Sequence, residues 1–252
     1  MTSFLASYRG EWDKLINRKK YLVFIGIGVG LCLLWAGFGY LFADFVKLRG
    51  GVNIILTPTP MGVLPLFLQI IVPFLMFMGV TDLLTVEDAD KTMKAVLCRP
   101  VERWKLYTAK ILAVLTYAAL YLACVIVVST GLNQLFGRPL GAAGFFIAMA
   151  SYALTLAPLA VLATFAALVA LWGRSGTLTM FVLLCSYMLL SVLPVFFPVL
   201  SEILFTSYLS WYKLWIGALP GAAKPVQVVI IVLGYGTVFY IAGSLLFDRK
   251  EY

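Results

Sequence analysis

The chain has 252 residues, 63% of them hydrophobic and 12% charged, whereas a soluble domain carries roughly 25% charged and about 45–50% apolar residues. Its +8 charge arises from 19 Lys and Arg against 11 Asp and Glu, gathered in clusters between uncharged stretches long enough to cross a bilayer of ~30 Å. This composition describes an all-α integral membrane protein and excludes a soluble enzyme, a disordered tail and a DNA-binding domain, while zero His removes Ser-His-Asp hydrolysis and His-ligated zinc or haem chemistry.

Residues 1–20 come first. Phe4, Leu5, Tyr8, Trp12, Leu15 and Ile16 fall within an arc of ~120° at 100° per residue, and Arg9, Glu11, Asp13, Lys14 and Arg18 lie outside it. The pattern predicts an amphipathic elbow helix lying in the membrane surface, packed beside the bundle and facing a cytosolic partner, or a basic flank that orients the first span. The first apolar run starts only at Tyr21 and lacks a small-x-small cleavage site, so no cleavable signal peptide is expected.

Six uncharged stretches follow, and they predict spans over 21–46, 61–81, 107–136, 140–172, 176–200 and 226–247. The fourth stretch, Pro139–Gly173, would reach ~50 Å at 1.5 Å per residue, so it tilts, protrudes or breaks near Pro158. Loop charge sets the orientation. With the N-terminus inside, the cytoplasmic side collects Arg9, Lys14, Arg18, Lys19, Lys20, Lys91, Lys94, Arg99, Arg103, Lys105, Lys110, Arg174, Arg249 and Lys250. The outer side keeps Lys47, Arg49, Arg138, Lys213 and Lys224, a bias of fourteen against five that places both termini in the cytoplasm.

Within the first span, Gly26 and Gly30 have small-xxx-small spacing, which serves either packing inside one chain or pairing of two. The spans hold almost no ionisable residue, with Asp44 and Glu202 at outer ends and Asp82 and Lys110 at inner ends, a poor basis for a proton- or sodium-coupled carrier. No GxxxxGK[ST] loop is present, so energy for transport must come from another subunit. Cys32, Cys98, Cys124 and Cys185 are widely spaced and give neither a CxxC metal site nor a disulfide framework.

The cytoplasmic segment 82–106 and its continuation to Lys110 mix Asp82, Glu87, Asp88 and Asp90 with Lys91, Lys94, Arg99, Arg103, Lys105 and Lys110. Met93, Val96, Leu97, Trp104 and Tyr107 are interleaved, and Pro100 divides the segment into two short helices. Alternating charge with helical apolar spacing predicts docking onto another protein. The outer segment 201–225 differs, with Phe205, Tyr208, Trp211, Tyr212 and Trp215 crowding its middle, as in the headgroup layer. It predicts short outer helices that dip into the membrane and close a pathway, or an ordinary aromatic belt.

Over most of its length the chain resembles the permease subunits of ABC type-2 transporters. Glu11-Trp12-Asp13-Lys14-Leu15 and Arg18-Lys19-Lys20 are similar to that family's acidic-then-basic elbow helix. Glu87, Thr92, Leu97, Pro100-Val101, Arg103, Tyr107 and Lys110 resemble its pattern of an acidic residue, a Gly-Thr, a Leu-x-x-Pro-Val-Ser-Arg and a Gly-Lys. Lys91, Glu102 and Ala109 depart from it, Lys91 standing where the family often has Gly. The ending Phe247-Asp248-Arg249-Lys250-Glu251 is similar to the basic stretch after the family's last span.

The resemblance implies a coupling helix within 82–106, with Glu87, Asp88, Thr92, Leu97, Arg99, Pro100 and Arg103 as ATPase-coupling residues. It implies two cytosolic ATPase subunits that hold ATP and Mg, no cofactor or metal in this chain, and a second permease, identical or paralogous. That pairing would run through spans one and five, with Gly26, Gly30, Tyr187 and Ser191 as interface candidates, and the outer helices would be re-entrant. The expected function is export of an amphipathic or hydrophobic cargo, such as a peptide, an antibiotic or a lipid-like molecule, across the cytoplasmic membrane of a prokaryote. The alternative is an immunity or stress-sensing membrane protein that binds a toxic peptide without moving it. A lipid enzyme would have only Glu87, Asp88 and Asp90 as a carboxylate group.

Overall fold

The apolar stretches fold into six helical runs, each long enough to cross a bilayer: Lys19–Leu41, Pro60–Ala89, Arg103–Leu135, Ala142–Ala170, Gly176–Phe196 and Ala223–Arg249. The computed structural model describes residues 2–41, 59–93, 102–135, 141–216 and 223–250. No strand occurs among them, as expected where every backbone polar group must be satisfied within its own segment. Serine and threonine hydroxyls inside the spans follow the same constraint: Thr116 donates to the Leu112 carbonyl, Thr130 to Ile126 and Ser151 to Ile147.

Span three is the centre of the bundle. It touches the N-terminal helix Thr2–Ile16 and spans one, two, four and six. Close approach is obtained with small residues on its neighbours. A Cβ on Gly28 of span one would stand 2.5 Å from the Tyr121 hydroxyl, and one on Gly243 of span six would overlap the Tyr107 hydroxyl. Gly26 and Gly30 meet nothing within 4 Å, so their small size serves no packing among the described residues.

Three prolines inside spans determine where other elements attach. A helical proline has no N–H, so the carbonyl four residues earlier loses its partner. Pro73 frees Gln69, whose carbonyl accepts from the Tyr187 hydroxyl of span five at 2.8 Å. Pro158 frees Leu154, which accepts from the Trp211 indole at 2.6 Å. Pro194 frees Leu190, which accepts from Thr206 at 3.0 Å. Of the three outcomes open to span four, an interruption is found, at Thr155 between Leu154 and Leu156.

Trp211 and Thr206 both belong to the segment after span five, which forms two 3₁₀ helices, Pro198–Glu202 and Phe205–Ser210, and a short helix, Tyr212–Ile216. The aromatics do not form a simple belt. Phe205 is buried against Phe165 of span four and Tyr235 and Phe239 of span six, with centroids 5.3 to 5.8 Å apart. Trp211 and Tyr212 are also buried, Tyr208 is half-buried, and Trp215 is exposed.

Several expected boundaries shift. Span two does not end at residue 81 but continues through a widened π turn, Thr81–Val86, to Ala89. The charges of Asp82 and Glu87 do not stop the helix because both side chains meet cations supplied by other elements. Span three begins at Arg103, and the helix of span five stops at Phe196, two residues after Pro194. Residues 42–46 of the expected first span lie outside the described residues.

Candidate functional site

At one end of the bundle, four charged side chains from three elements close into a ring. Lys110 of span three is 1% exposed, and its ammonium reaches Glu11 of the N-terminal helix at 3.0 Å, Glu87 of span two at 2.6 Å and the Leu83 carbonyl at 2.9 Å. An ammonium has three donors, and all three are used. Lys14 completes the ring from its edge, bonded to the other oxygens of Glu11 at 2.9 Å and Glu87 at 2.8 Å.

Two carboxylates and two ammoniums cancel, so the cluster buries no net charge. A charge in such a place is tolerated only when paired and fully hydrogen-bonded, and removing one partner from a buried pair costs about 3–5 kcal/mol. For Lys14, burial acts to lower the pKa, but hydrogen bonds and charge from Glu11 and Glu87 outweigh it and raise the value above 10.5.

The ring corrects the expected place of Glu11. It was assigned to the polar side of the elbow helix, yet it is 2% exposed, and the buried face runs through Ser7, Glu11 and Leu15 while Leu5 and Ile16 are exposed. Tyr8 bonds Thr116 at 2.9 Å and Glu11 bonds Lys110, so the helix runs counter to span three along its first third. Trp12 packs half-buried beside it.

Neighbouring contacts extend the network. Asp82 accepts from the Tyr21 hydroxyl at 2.6 Å and pairs with Arg18 at 3.2 Å and with Lys20, tying span two to the start of span one. Asp88 pairs with Lys250 at 2.7 Å, and the same ammonium bonds the Leu171 carbonyl at the end of span four. Arg103 donates to the Asp248 and Lys250 carbonyls, the orphan acceptors at the end of span six. Residues from the N-terminal helix and spans one, two, three, four and six are thus joined within one layer.

The sequence-predicted coupling residues separate into three groups. Glu87 is buried in the ring, while Asp88 and Arg103 hold other elements. Thr92 is exposed and donates to the Glu87 carbonyl, with exposed Lys91 beside it. Leu97, Arg99 and Pro100 lie outside the described residues. Lys91 has φ 57°, the left-handed conformation that glycine adopts most easily, at the position where the resembled pattern carries Gly.

Among the interface candidates, Gly26 and Gly30 stay unpacked and Ser191 is half-buried. Tyr187 leaves that set. Its ring is 5% exposed and packs edge-on to Phe77, with its hydroxyl engaged by the carbonyl that Pro73 freed. Sequence reading missed Gln69, Leu154 and Leu190 as attachment points. The signal was present in the proline positions, each of which marks a carbonyl four residues earlier.

Six apolar helices around a buried ionic layer define a polytopic α-helical membrane protein. The family model described as "Protein of unknown function (DUF2705)" matches residues 23–252, and the chain belongs to that family. No curated protein matches it.

Proposed function

We propose that this chain is the membrane-spanning permease subunit of an ATP-driven exporter, with both termini in the cytoplasm of a prokaryote. The observation that carries the reading is the Glu11–Lys14–Glu87–Lys110 ring. It makes the end of span two, the start of span three and the N-terminal helix one mechanical unit. A push from ATPase subunits on the loop between spans two and three would then move all three elements together. Two cytosolic ATPases would supply ATP hydrolysis with Mg, and a second permease would face the open glycine stripe at Gly26 and Gly30.

The segment 198–216 acts in this reading as a re-entrant plug at the outer mouth. Thr206 and Trp211 fasten it to carbonyls freed by Pro194 and Pro158, contacts that can be released without breaking a helical hydrogen bond. The cargo is amphipathic or hydrophobic, in keeping with spans that present apolar surface.

The test is a mild-detergent pull-down of the tagged chain from its native membrane, with mass spectrometry and an ATPase assay on the eluate. A stoichiometric P-loop protein is expected. Lys91→Glu together with Trp104→Ala should release it without lowering the melting temperature, because both residues are exposed. Repeated recovery without any nucleotide-binding partner, under conditions that preserve other membrane complexes, overturns the reading in favour of a peptide-binding immunity protein.

A further inference from the structure

A cavity of about 750 Å³ opens between the end of span two and the start of span five. Its two sides differ in chemistry. Met78 of span two and Met180, Phe181 and Leu184 of span five make an apolar wall, and Phe181, 67% exposed, continues that wall onto the outer surface of the bundle.

The other side is polar. Arg174 and Asp90 both line the cavity, both are exposed, and neither has an ion pair or side-chain hydrogen bond among the described residues. Asp82 lines it too, but Arg18 and Lys20 already balance its charge. Ser175 precedes span five without a side-chain cap, so the first N–H groups of that helix are available to an anion beside Arg174. Thr81, 4% exposed, lines the same cavity, and its hydroxyl has no partner.

A ligand complementary to this cavity needs one anionic group, one cationic group and apolar chain. We propose that it holds a zwitterionic phospholipid with a primary ammonium, phosphatidylethanolamine, taken from the adjoining leaflet. The phosphate lies against Arg174 and the start of span five, the ammonium against Asp90, and the upper acyl chain against Met78, Met180 and Phe181. The volume is within the range of small-molecule sites. Phosphatidylglycerol would leave Asp90 without a cation. The quaternary ammonium of phosphatidylcholine cannot donate to a carboxylate and is recognised by an aromatic cage, which the polar side lacks.

The site does not depend on the transport reading, and its test needs no ATPase. The full-length chain is purified in detergent with equimolar phosphatidylethanolamine, phosphatidylglycerol and phosphatidylcholine, and retained lipid is read by native mass spectrometry. One phosphatidylethanolamine per chain is expected, preferred roughly tenfold, the effect of one charge-assisted contact. Arg174→Ala and Asp90→Asn should each reduce retention roughly tenfold, and Arg174→Lys should restore most of it. Met180→Trp, which fills the apolar wall, should exclude the lipid with both charges intact. Equal retention of the three lipids, no retained lipid, or variants that retain phosphatidylethanolamine like the parent would overturn the proposal. So would a dimer free of phosphatidylethanolamine, which would assign the cavity to a second copy of the chain.

Discussion

In an apolar 18-residue stretch of spans two, three and four, 61%, 44% and 56% of the residues are buried, whereas the share is 17% in each of spans one, five and six. The two sets have almost the same apolar character, so hydropathy does not separate the core of this bundle from its rim. Lipid is as apolar as leucine, and helices in it associate through close packing and polar contacts. The inner set carries those contacts, with Glu87 and Lys110 on spans two and three and Tyr107 and Tyr121 fitting against glycines. The outer set turns Leu33, Leu34, Phe181, Leu189, Ile230 and Leu233 outward.

Lys110→Met should break that contrast most severely. It leaves the buried Glu11 and Glu87 carboxylates with Lys14 as the one ammonium of the ring, and the expected loss is about 3–5 kcal/mol, read by thermal unfolding in detergent. Ile230→Ala in span six, at a position 64% exposed, should stay within about 0.5 kcal/mol of the parent. Equal melting of the two variants would remove the distinction between core and rim.

A smaller effect is expected from glycines that look alike in sequence. Gly243→Ala forces a methyl group into the Tyr107 hydroxyl and should cost about 1–3 kcal/mol. Gly26→Ala and Gly30→Ala, facing open space, should not lower the melting temperature of the chain.

The proline attachments allow a sharper measurement. Trp211→Phe uncovers the Leu154 carbonyl and should cost about 1–3 kcal/mol. In a Pro158→Ala background, residue 158 regains an N–H for that carbonyl, so the same substitution should cost less. A double-mutant cycle measures the difference, and zero coupling would show that the indole does not replace the lost helical bond.

At the charged end, Lys91→Gly should stabilise the isolated chain by about 1 kcal/mol, because it relieves a left-handed backbone at an exposed side chain. The smallest effect concerns pH. Lys14 has a folded pKa raised above 10.5, so its contribution is complete below that value and is lost as pH rises through the raised one. The stability difference between the parent and Lys14→Met should therefore be flat from about pH 7 to about pH 10 and shrink above 10.5.

Much of the architecture was legible because membrane insertion depends on local composition. The apolar segments and the helical N-terminal segment could be read from apolar length and charge position, while a break in span four was one of three outcomes that its length and Pro158 left open. Glu11 could not be placed correctly, because a helical wheel assigns every charge to the polar face unless a partner is known. Its partner, Lys110, lies far along the chain. The aromatic cluster around Phe205 was similarly ambiguous, since its rings suit either a headgroup layer or a protein interior.

The sequence by itself determined that this protein has six segments long and apolar enough to cross a membrane and that one end of its bundle is strongly charged, because bilayer thickness and the cost of lipid-exposed charge act on each segment alone. Only the tertiary structure decided which spans form the core, which glycines accept a tyrosine, and which carboxylates leave the surface to ring Lys110. Those outcomes depend on partners brought together from distant parts of the chain, and a buried charge is stable only where its counter-charge arrives with it.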